Sequence, residues 1–194
     1  MTKVRMLSIN LRGCQAQGAY ARLIQEASRW YRERQVSIFL CQEHNLQPNR
    51  VGDLTRLAHA RGFTLTIGFA LPGPDNSHRG GTMILTADRD VKTCEVMHTA
   101  AGWTHIKVEW GGMKFEVGAA YAPSGNGIRA VERVDFMKEL GRKLTTHTIA
   151  GGDWNCVPDV TLDVQSSNPL RYQNTGARVL SQSMRSTKPM RLSL

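Results

Sequence analysis

The sequence has no hydrophobic run long enough to cross a bilayer, which takes about 20 consecutive apolar residues. Its first residues, MTKVRMLSIN, are too short and too mixed for a secretory signal peptide. No CxxC pair occurs among the cysteines, which argues against a zinc site or a disulfide framework. We therefore expect an intracellular protein without a membrane partner, and with free thiols at Cys14, Cys41, Cys94 and Cys156.

Acidic residues are also in short supply. Asp and Glu number 16 against 25 Lys and Arg, which leaves a formal net charge of +9. This excess favours a polyanionic partner such as nucleic acid. A basic protein without such a partner remains an alternative, because net charge alone does not show a patch. Hydrophobic residues make up 41% of the 194, which is enough for one domain with a sizeable core over residues 1–194.

Apolar periodicity predicts alternating strands and helices, with Gly111-Gly112 as the turn of a hairpin. The predicted strands cover 4–10, 36–43, 63–69, 81–87, 103–110, 113–121 and 147–152. The predicted helices cover 19–35, 51–62, 128–144 and 175–185, and the segments 71–80 and 156–173 are predicted loops. This order indicates two β-sheets packed together and flanked by helices, an α+β class.

Polar side chains stand at the ends of several predicted strands. The members of this set are Asn10, Glu43 (after Gln42), Tyr121, Asp153 and Asn155. If the strands are neighbours, their ends converge at one edge and bring together carboxylates, amides and a phenol. Such a set suits metal-assisted hydrolysis of a phosphate ester.

Each member has a chemical role in that interpretation. Glu43 with Asn10 can hold Mg²⁺, a hard cation that takes one or two protein carboxylates and fills its other positions with water and phosphate. Asp153 can orient or deprotonate an attacking water. Asn155 and Tyr121 can donate hydrogen bonds to phosphate oxygens.

The stretch IAGGDWN adds a local argument. On an extended chain, Asp153 and Asn155 share one side while Trp154 packs on the other. Gly151 and Gly152 are predicted to clear space, so that the backbone can approach closely without side-chain obstruction.

Every one of these residues also has a structural interpretation. Asp153 and Asn155 are suited to capping a turn, and Glu43 to a solvated strand end. Tyr121 is suited to packing, and Asn10 to stabilising a turn. Their joint occurrence, in this order and each at a strand end, is what favours the catalytic interpretation.

Five stretches resemble the endonuclease/exonuclease/phosphatase family. They are SINLRG (8–13), LCQEHNL (40–46), RGGTMILT (79–86), AAYAPSG (119–125) and AGGDWNCVPD (150–159). GGDWNCVPDVTLD, with NTGARVL at 174–180, is most similar to endonuclease domains of non-LTR (LINE-type) retrotransposons.

The resemblance implies a DNase I-like, four-layer α/β/β/α sandwich that cleaves DNA phosphodiesters with Mg²⁺, with Mn²⁺ as the alternative. It implies that Asn10 and Glu43 serve the metal, Tyr121 contacts the phosphate, and Asp153 positions water. Asn155 would support the transition state. It further implies a nuclear setting and a reverse transcriptase domain in a longer parent polyprotein.

The sequence departs from the family pattern near its C-terminus. The family closes its fold with further strands that carry another aspartate and an Asp-His pair, and no Asp-His dipeptide occurs here. We therefore expect a C-terminally incomplete domain of doubtful activity. The alternatives are a catalytically silent remnant that at most binds nucleic acid, and a phosphatase or phosphodiesterase for small molecules or lipids. Each of the six histidines is expected to be a surface or structural residue: His44, His59, His78, His98, His105 and His147.

Overall fold

A computed structural model of the chain describes residues 3–14, 16, 18–72, 78–124 and 128–155. In chain order the elements are β1 (Met6–Asn10), α1 (Ala19–Arg34), β2 (Ile38–Gln42), α2 (Pro48–Ala60), β3 (Phe63–Gly68), β4 (Leu71–Pro72), β5 (His78–Arg79), β6 (Thr82–Ala87), β7 (Val91–Thr99), β8 (Trp103–Trp110), β9 (Met113–Tyr121), α3 (Ile128–Lys143) and β10 (Thr148–Asp153). The predicted loop 156–173 and helix 175–185 lie outside the described residues, as does Cys156.

The chain divides into two compact units. The first comprises Met1–Tyr121 and Ile149–Asp153, and so contains the sheets. The second comprises Ala122–Thr148 and Trp154–Leu194, and its described part contains α3. The single domain expected over 1–194 stays a prediction.

The first sheet has the strand order β1-β2-β6-β3. β1 and β2 run parallel, with Met6 opposite Ile38 and Asn10 opposite Gln42. β6 is antiparallel to both of its neighbours. Every residue of β2 is buried, as expected of a strand covered on both faces. The parallel pairing places the ends of β1 and β2 at the same edge of the sheet.

Helices α1 and α2 cover one face of this sheet. Ile24 of α1 and Leu54 of α2 are fully buried in a cluster with Phe39 and Phe63. The two phenylalanine rings meet edge to face, with centroids 6.0 Å apart. Burial of one such side chain contributes about 1.5–3 kcal/mol, so the apolar stripes of the helices fix this layer in place.

The second sheet has the order β10-β9-β8-β7 and packs on the other face of the first. Ile106 and Val117 from the second sheet share a core with Ile38 and Leu40 from the first. The predicted hairpin is present as β8 and β9. Its turn, Gly111-Gly112, has positive φ at both residues, as a type I′ turn requires.

Two features differ from the predictions. Strand β7 was not predicted, because register shifts between Thr93 and Glu95 and between Val96 and His98 interrupt the alternation of buried and exposed side chains. The predicted loop 71–80 contains a short two-stranded ribbon, β4 with β5. Its strands have two residues each, too few for an alternating pattern to show in the sequence.

The second unit has a small core of its own. Met137 of α3 is fully buried and packs with Ala122 and Trp154. The Arg133 guanidinium donates a hydrogen bond of 2.9 Å to the carbonyl of Pro123. These contacts tie the start of α3 to the segment that follows β9.

The described cysteines Cys14, Cys41 and Cys94 are free thiols, as predicted. Burial raises the pKa of Cys14, and it raises the pKa of Cys41 to about 12. Both buried thiols therefore stay protonated near neutral pH. None of the described helices combines the length and apolar character that a membrane span requires.

Candidate active site

The ends of β1 and β2 continue into loops that bond to each other. The Leu11 amide donates to the Gln42 carbonyl at 2.9 Å, and the Gly13 amide donates to the Glu43 carbonyl at 2.8 Å. The two loops thus extend the parallel pairing beyond the sheet. Asn10, the last residue of β1, and Glu43, the first residue after β2, therefore lie at the same edge, as the sequence predicted.

Asn10 and Asp153 meet directly at this edge. The Asn10 amide nitrogen donates to the Asp153 carboxylate at 2.6 Å, across a sequence separation of 143 residues. The Asn10 side-chain oxygen accepts a hydrogen bond of 2.9 Å from the Arg12 amide. These two hydrogen bonds, one at each end of the Asn10 side-chain amide, fix its orientation. The oriented amide in turn holds the Asp153 carboxylate at the end of β10.

Gln42, by contrast, points into the protein. Its side chain is 1% exposed and donates to the Leu40 carbonyl at 2.8 Å and to the Ser8 hydroxyl at 3.2 Å. Gln42 therefore braces β1 against β2, and Glu43 is the acidic residue that reaches the edge.

Glu43 lies on a backbone of unusual shape. Its φ is 57°, in the left-handed region that costs a non-glycine residue about 1–3 kcal/mol. Its amide donates to the Gly81 carbonyl at 2.8 Å. No described residue forms an ion pair or a side-chain hydrogen bond with its half-buried carboxylate. An oxygen ligand is thus placed at the edge with no ion-pair partner among the described residues.

His44 stabilises this shape from inside. Its fully buried ring accepts a hydrogen bond from the Leu46 amide at Nδ1 (3.0 Å) and donates from Nε2 to the Gly68 carbonyl (2.9 Å). Burial lowers the pKa of His44 to about 4, although the bond to Gly68 acts in the opposite direction. The ring is therefore neutral at physiological pH, and its role is structural, as expected for the histidines.

Asn45 links the same loop to the third strand-end residue, Tyr121. The Asn45 amide donates to the Gly80 carbonyl at 2.9 Å, and its side-chain oxygen accepts from the Gly80 amide at 2.7 Å. A Cβ on Gly80 would lie 3.3 Å from ring carbons of Tyr121, so Gly80 packs against that ring. The loop that carries Glu43 is thus hydrogen-bonded to Gly80, and Gly80 packs against Tyr121.

Asn155 forms its described hydrogen bond within the second unit. β10 ends at Asp153, and Asn155 has φ 46°, so the extended-chain argument that put both side chains on one side is wrong. The Asn155 amide donates to the Ala122 carbonyl at 2.7 Å. Asn155 and Ala122 both belong to the second unit, where Trp154 packs with Ala122 and Met137.

The two glycines before Asp153 serve packing. A Cβ on Gly152 would lie 2.0 Å from the Ala120 carbonyl oxygen, and one on Gly151 would lie 2.8 Å from Cδ1 of Leu40. Protein atoms therefore occupy the space that a side chain at either position would need. The glycines allow β10 to lie close to its neighbours, which in turn positions Asp153.

The donor set at the edge fits a hard cation. No group of three or more His, Cys, Asp or Glu side chains within the described ranges could hold a metal ion. Mg²⁺ needs no such group, since it binds through one or two protein oxygens plus water and phosphate. The Glu43 carboxylate offers one ligand. The Asn10 side-chain oxygen offers another, because Arg12 occupies only one of its two acceptor positions.

Comparisons with known proteins bear on the fold. No family model matches the sequence, and no curated protein matches it. An AP endonuclease from Archaeoglobus fulgidus aligns with a TM-score of 0.64 and 15% identity, over 96% of this chain and 71% of its own. The endonuclease domain of TRAS1, a telomere-specific non-LTR retrotransposon, aligns with a TM-score of 0.59 and 16% identity, over 94% of this chain and 71% of its own.

A third solved structure is NExo from Neisseria, a 3′ phosphatase bound to a product DNA hairpin. It aligns with a TM-score of 0.60 and 12% identity, over 94% of this chain and 71% of its own. At such identities the likeness shows the fold. The DNase I-like α+β fold expected from the sequence, and its resemblance to the endonuclease/exonuclease/phosphatase fold, are therefore confirmed.

Proposed function

We propose that this chain is a divalent-cation-dependent hydrolase that nicks DNA, as the endonuclease of a non-LTR retrotransposon. The observation that carries the proposal is the 2.6 Å hydrogen bond from Asn10 to Asp153, which joins two strand ends that are distant in sequence. The endonuclease names of two proteins with the same fold support it. The net charge of +9 supports a polyanionic substrate.

Glu43 and Asn10 would hold the cation, Mg²⁺ with Mn²⁺ as the alternative. When bound, the cation would offset negative charge on the phosphate and on the departing oxygen. The fixed Glu43 loop favours this role, since its carboxylate has no described ion-pair partner and its backbone is held by Gly81 and by neighbouring His44.

Asp153 would orient an attacking water and take its proton, while Asn10 holds the carboxylate in the required direction. The water oxygen bonds to phosphorus, the P–O bond to the 3′ oxygen breaks, and the departing 3′ oxygen takes a proton from solvent water while the phosphate stays on the 5′ side. The resulting 3′ hydroxyl could prime a reverse transcriptase domain of a longer polyprotein in the nucleus. The Tyr121 hydroxyl would donate a hydrogen bond to a phosphate oxygen. The transition-state role of Asn155 stays a prediction that Asn155→Ala would test separately.

A plasmid assay tests this function. Supercoiled DNA should be converted to the nicked circle with Mg²⁺ and remain intact with EDTA. Glu43→Ala and Asp153→Ala should each lower the nicking rate by about 100-fold or more, the usual loss when one stabilising group is removed from such a site.

Glu33→Ala is the matched control, because Glu33 is an exposed carboxylate of α1 outside the candidate site. It should nick at the parent rate. Equal rates for Glu43→Ala and the parent chain would disprove the assigned roles.

A silent DNA-binding remnant is the second candidate, because the sequence contains no Asp-His dipeptide. It predicts salt-sensitive DNA binding without turnover at any Mg²⁺ or Mn²⁺ concentration. A chain extended with a family-like C-terminus separates the two candidates. If the extended chain nicks and the present one does not, the site is competent but incomplete. If the present chain instead hydrolyses only small phosphate esters or lipid headgroups, the DNA assignment is wrong.

A further inference from the structure

A second groove lies at the opposite end of the first sheet. It consists of two adjoining cavities of about 300 and about 420 Å³ that share Asp90 and Trp110. Lys3 and Arg32 line the smaller cavity, and Arg89 lines the larger. Both volumes fall near the lower end of the range for small-molecule sites, about 300–1,000 Å³.

This groove is separate from the candidate active site. Ser37, which lines the smaller cavity, precedes β2, whereas Glu43 follows it. β2 has five residues, and a strand rises by about 3.3 Å per residue. Ser37 and Glu43 are six residues apart along the chain, so the two places are roughly 20 Å apart by that rise.

The groove carries positive charge that nearby acids do not cancel. Within the described part of the chain, Lys3, Arg32 and Arg89 form no ion pair with an acidic side chain. Exposed arginines elsewhere do form such pairs, as Arg56 does with Asp53 at 2.5 Å. The three cations are therefore available to an anion from solution.

Asp90, the acid in the groove, is engaged by its own neighbours. Its carboxylate accepts a hydrogen bond of 2.9 Å from the Ser37 hydroxyl. Burial and the adjacent Asp90 carboxylate raise the pKa of Tyr31, while the nearby Arg89 guanidinium acts in the opposite direction. Asp90 is thus turned toward Ser37 and Tyr31, and the groove keeps three cations against one acid.

The aromatic ring of Trp110 indicates which class of anionic ligand the groove would bind. The half-buried indole packs on one side against the core between the two sheets, and the rest of it lines both cavities at the end of β8 together with the cations. Aromatic side chains flanked by Lys and Arg are the usual platform for single-stranded nucleic acid, because bases stack on the ring while phosphates meet the cations. We propose that this groove binds single-stranded nucleic acid, with a base stacked on Trp110 and neighbouring phosphates bound by Lys3, Arg32 and Arg89.

The first test measures binding of a labelled oligothymidylate of about eight nucleotides by fluorescence anisotropy, with EDTA present to prevent cleavage. The triple variant Lys3→Ala, Arg32→Ala, Arg89→Ala should bind at least about tenfold more weakly than the parent chain and show a smaller salt slope. The control triple, Arg129→Ala, Lys138→Ala, Arg142→Ala, removes the same charge from exposed positions of α3. It should weaken binding by less than about threefold. Equal losses in the two triples would overturn the proposal.

Substitutions of Trp110 test the stacking directly. Trp110→Leu should weaken binding by about tenfold, and Trp110→Phe, which keeps a ring, by less than about threefold. Thermal unfolding of each variant shows whether the fold is intact. If a variant loses binding only because it is unfolded, that result counts against the stacking role. Equal binding by Trp110→Leu and Trp110→Phe would also count against it.

Photo-crosslinking of a 5-bromouracil oligonucleotide locates the contact. Crosslinks in the parent chain should map to the peptide that contains Trp110. Glu43→Ala should keep them even if nicking is lost, so the groove and the proposed function can fail independently. Crosslinks confined to the loops after β1 and β2 would refute nucleic-acid binding in the groove. The proposal would also fail if heparin bound as strongly as the oligonucleotide and Trp110→Leu left heparin binding unchanged.

Discussion

The position of Glu43 depends on its neighbours as much as on the strand before it. His44 fills the space beside Gly81, and Asn45 bonds twice to Gly80. Sequence patterns pointed to Glu43 because it ends a buried strand. They did not reveal the residues that support Glu43. The sequence does contain signals for them, namely His44-Asn45 directly after the acid and the glycine pair Gly80-Gly81.

Gly81→Ala tests this support. Gly81 has φ +82°, and an added Cβ would lie 2.3 Å from His44 Nε2. Backbone strain and the displaced ring together should cost about 3 kcal/mol or more of unfolding free energy. The nicking rate should fall as well, since His44 adjoins Glu43.

Gly111→Ala is the matched control for backbone strain. Gly111 also has positive φ, +55°, but an added Cβ there would meet no atom within 4 Å. We expect a loss of about 1 kcal/mol with nicking unchanged, measured by urea unfolding and the plasmid assay. If the two variants behave alike, the contact with His44 is not what holds the Glu43 loop.

Among helices and strands, the layer formed by α1, α2 and the first sheet should dominate stability. Leu54 of α2 is fully buried in its core, whereas the next residue, Thr55, is exposed. Leu54→Ala should lower the unfolding free energy by about 2–5 kcal/mol through lost burial and a cavity. Thr55→Ala should change it by less than about 0.5 kcal/mol. Chemical denaturation measures both, and a small loss for Leu54→Ala would show that the helix layer can separate without cost.

Most elements were predictable because their side chains repeat with a clear period. Helix α1 was predicted over 19–35 and observed over Ala19–Arg34, and β2 was predicted over 36–43 and observed over Ile38–Gln42. β7 was missed because its bulges break the period and most of its side chains are exposed. Periodicity reports burial on one face, so an irregular outer strand leaves little trace in the sequence.

At the scale of the whole molecule, the positive net charge predicts that the DNA-binding constant depends strongly on salt concentration. Its net charge is +9. If it neutralises about four phosphates of a duplex, the log–log slope of the binding constant against salt is about −3.6. Binding should then weaken by about 100-fold between 50 and 200 mM salt. Titration of a labelled duplex by anisotropy, with EDTA present, measures this slope, and a slope near zero would rule out phosphate contacts as the main source of affinity.

The sequence by itself determined the α+β class, the buried strands and the candidates Asn10, Glu43, Tyr121 and Asp153, because period, strand ends and residue chemistry are local properties. Only the tertiary structure decided which side chains meet. The bond from Asn10 to Asp153 crosses 143 residues, and the φ of Asn155 turns it away from the extended path. Contacts of this kind depend on how separate strands pack, since no local pattern specifies the distance between two points that are far apart along a chain.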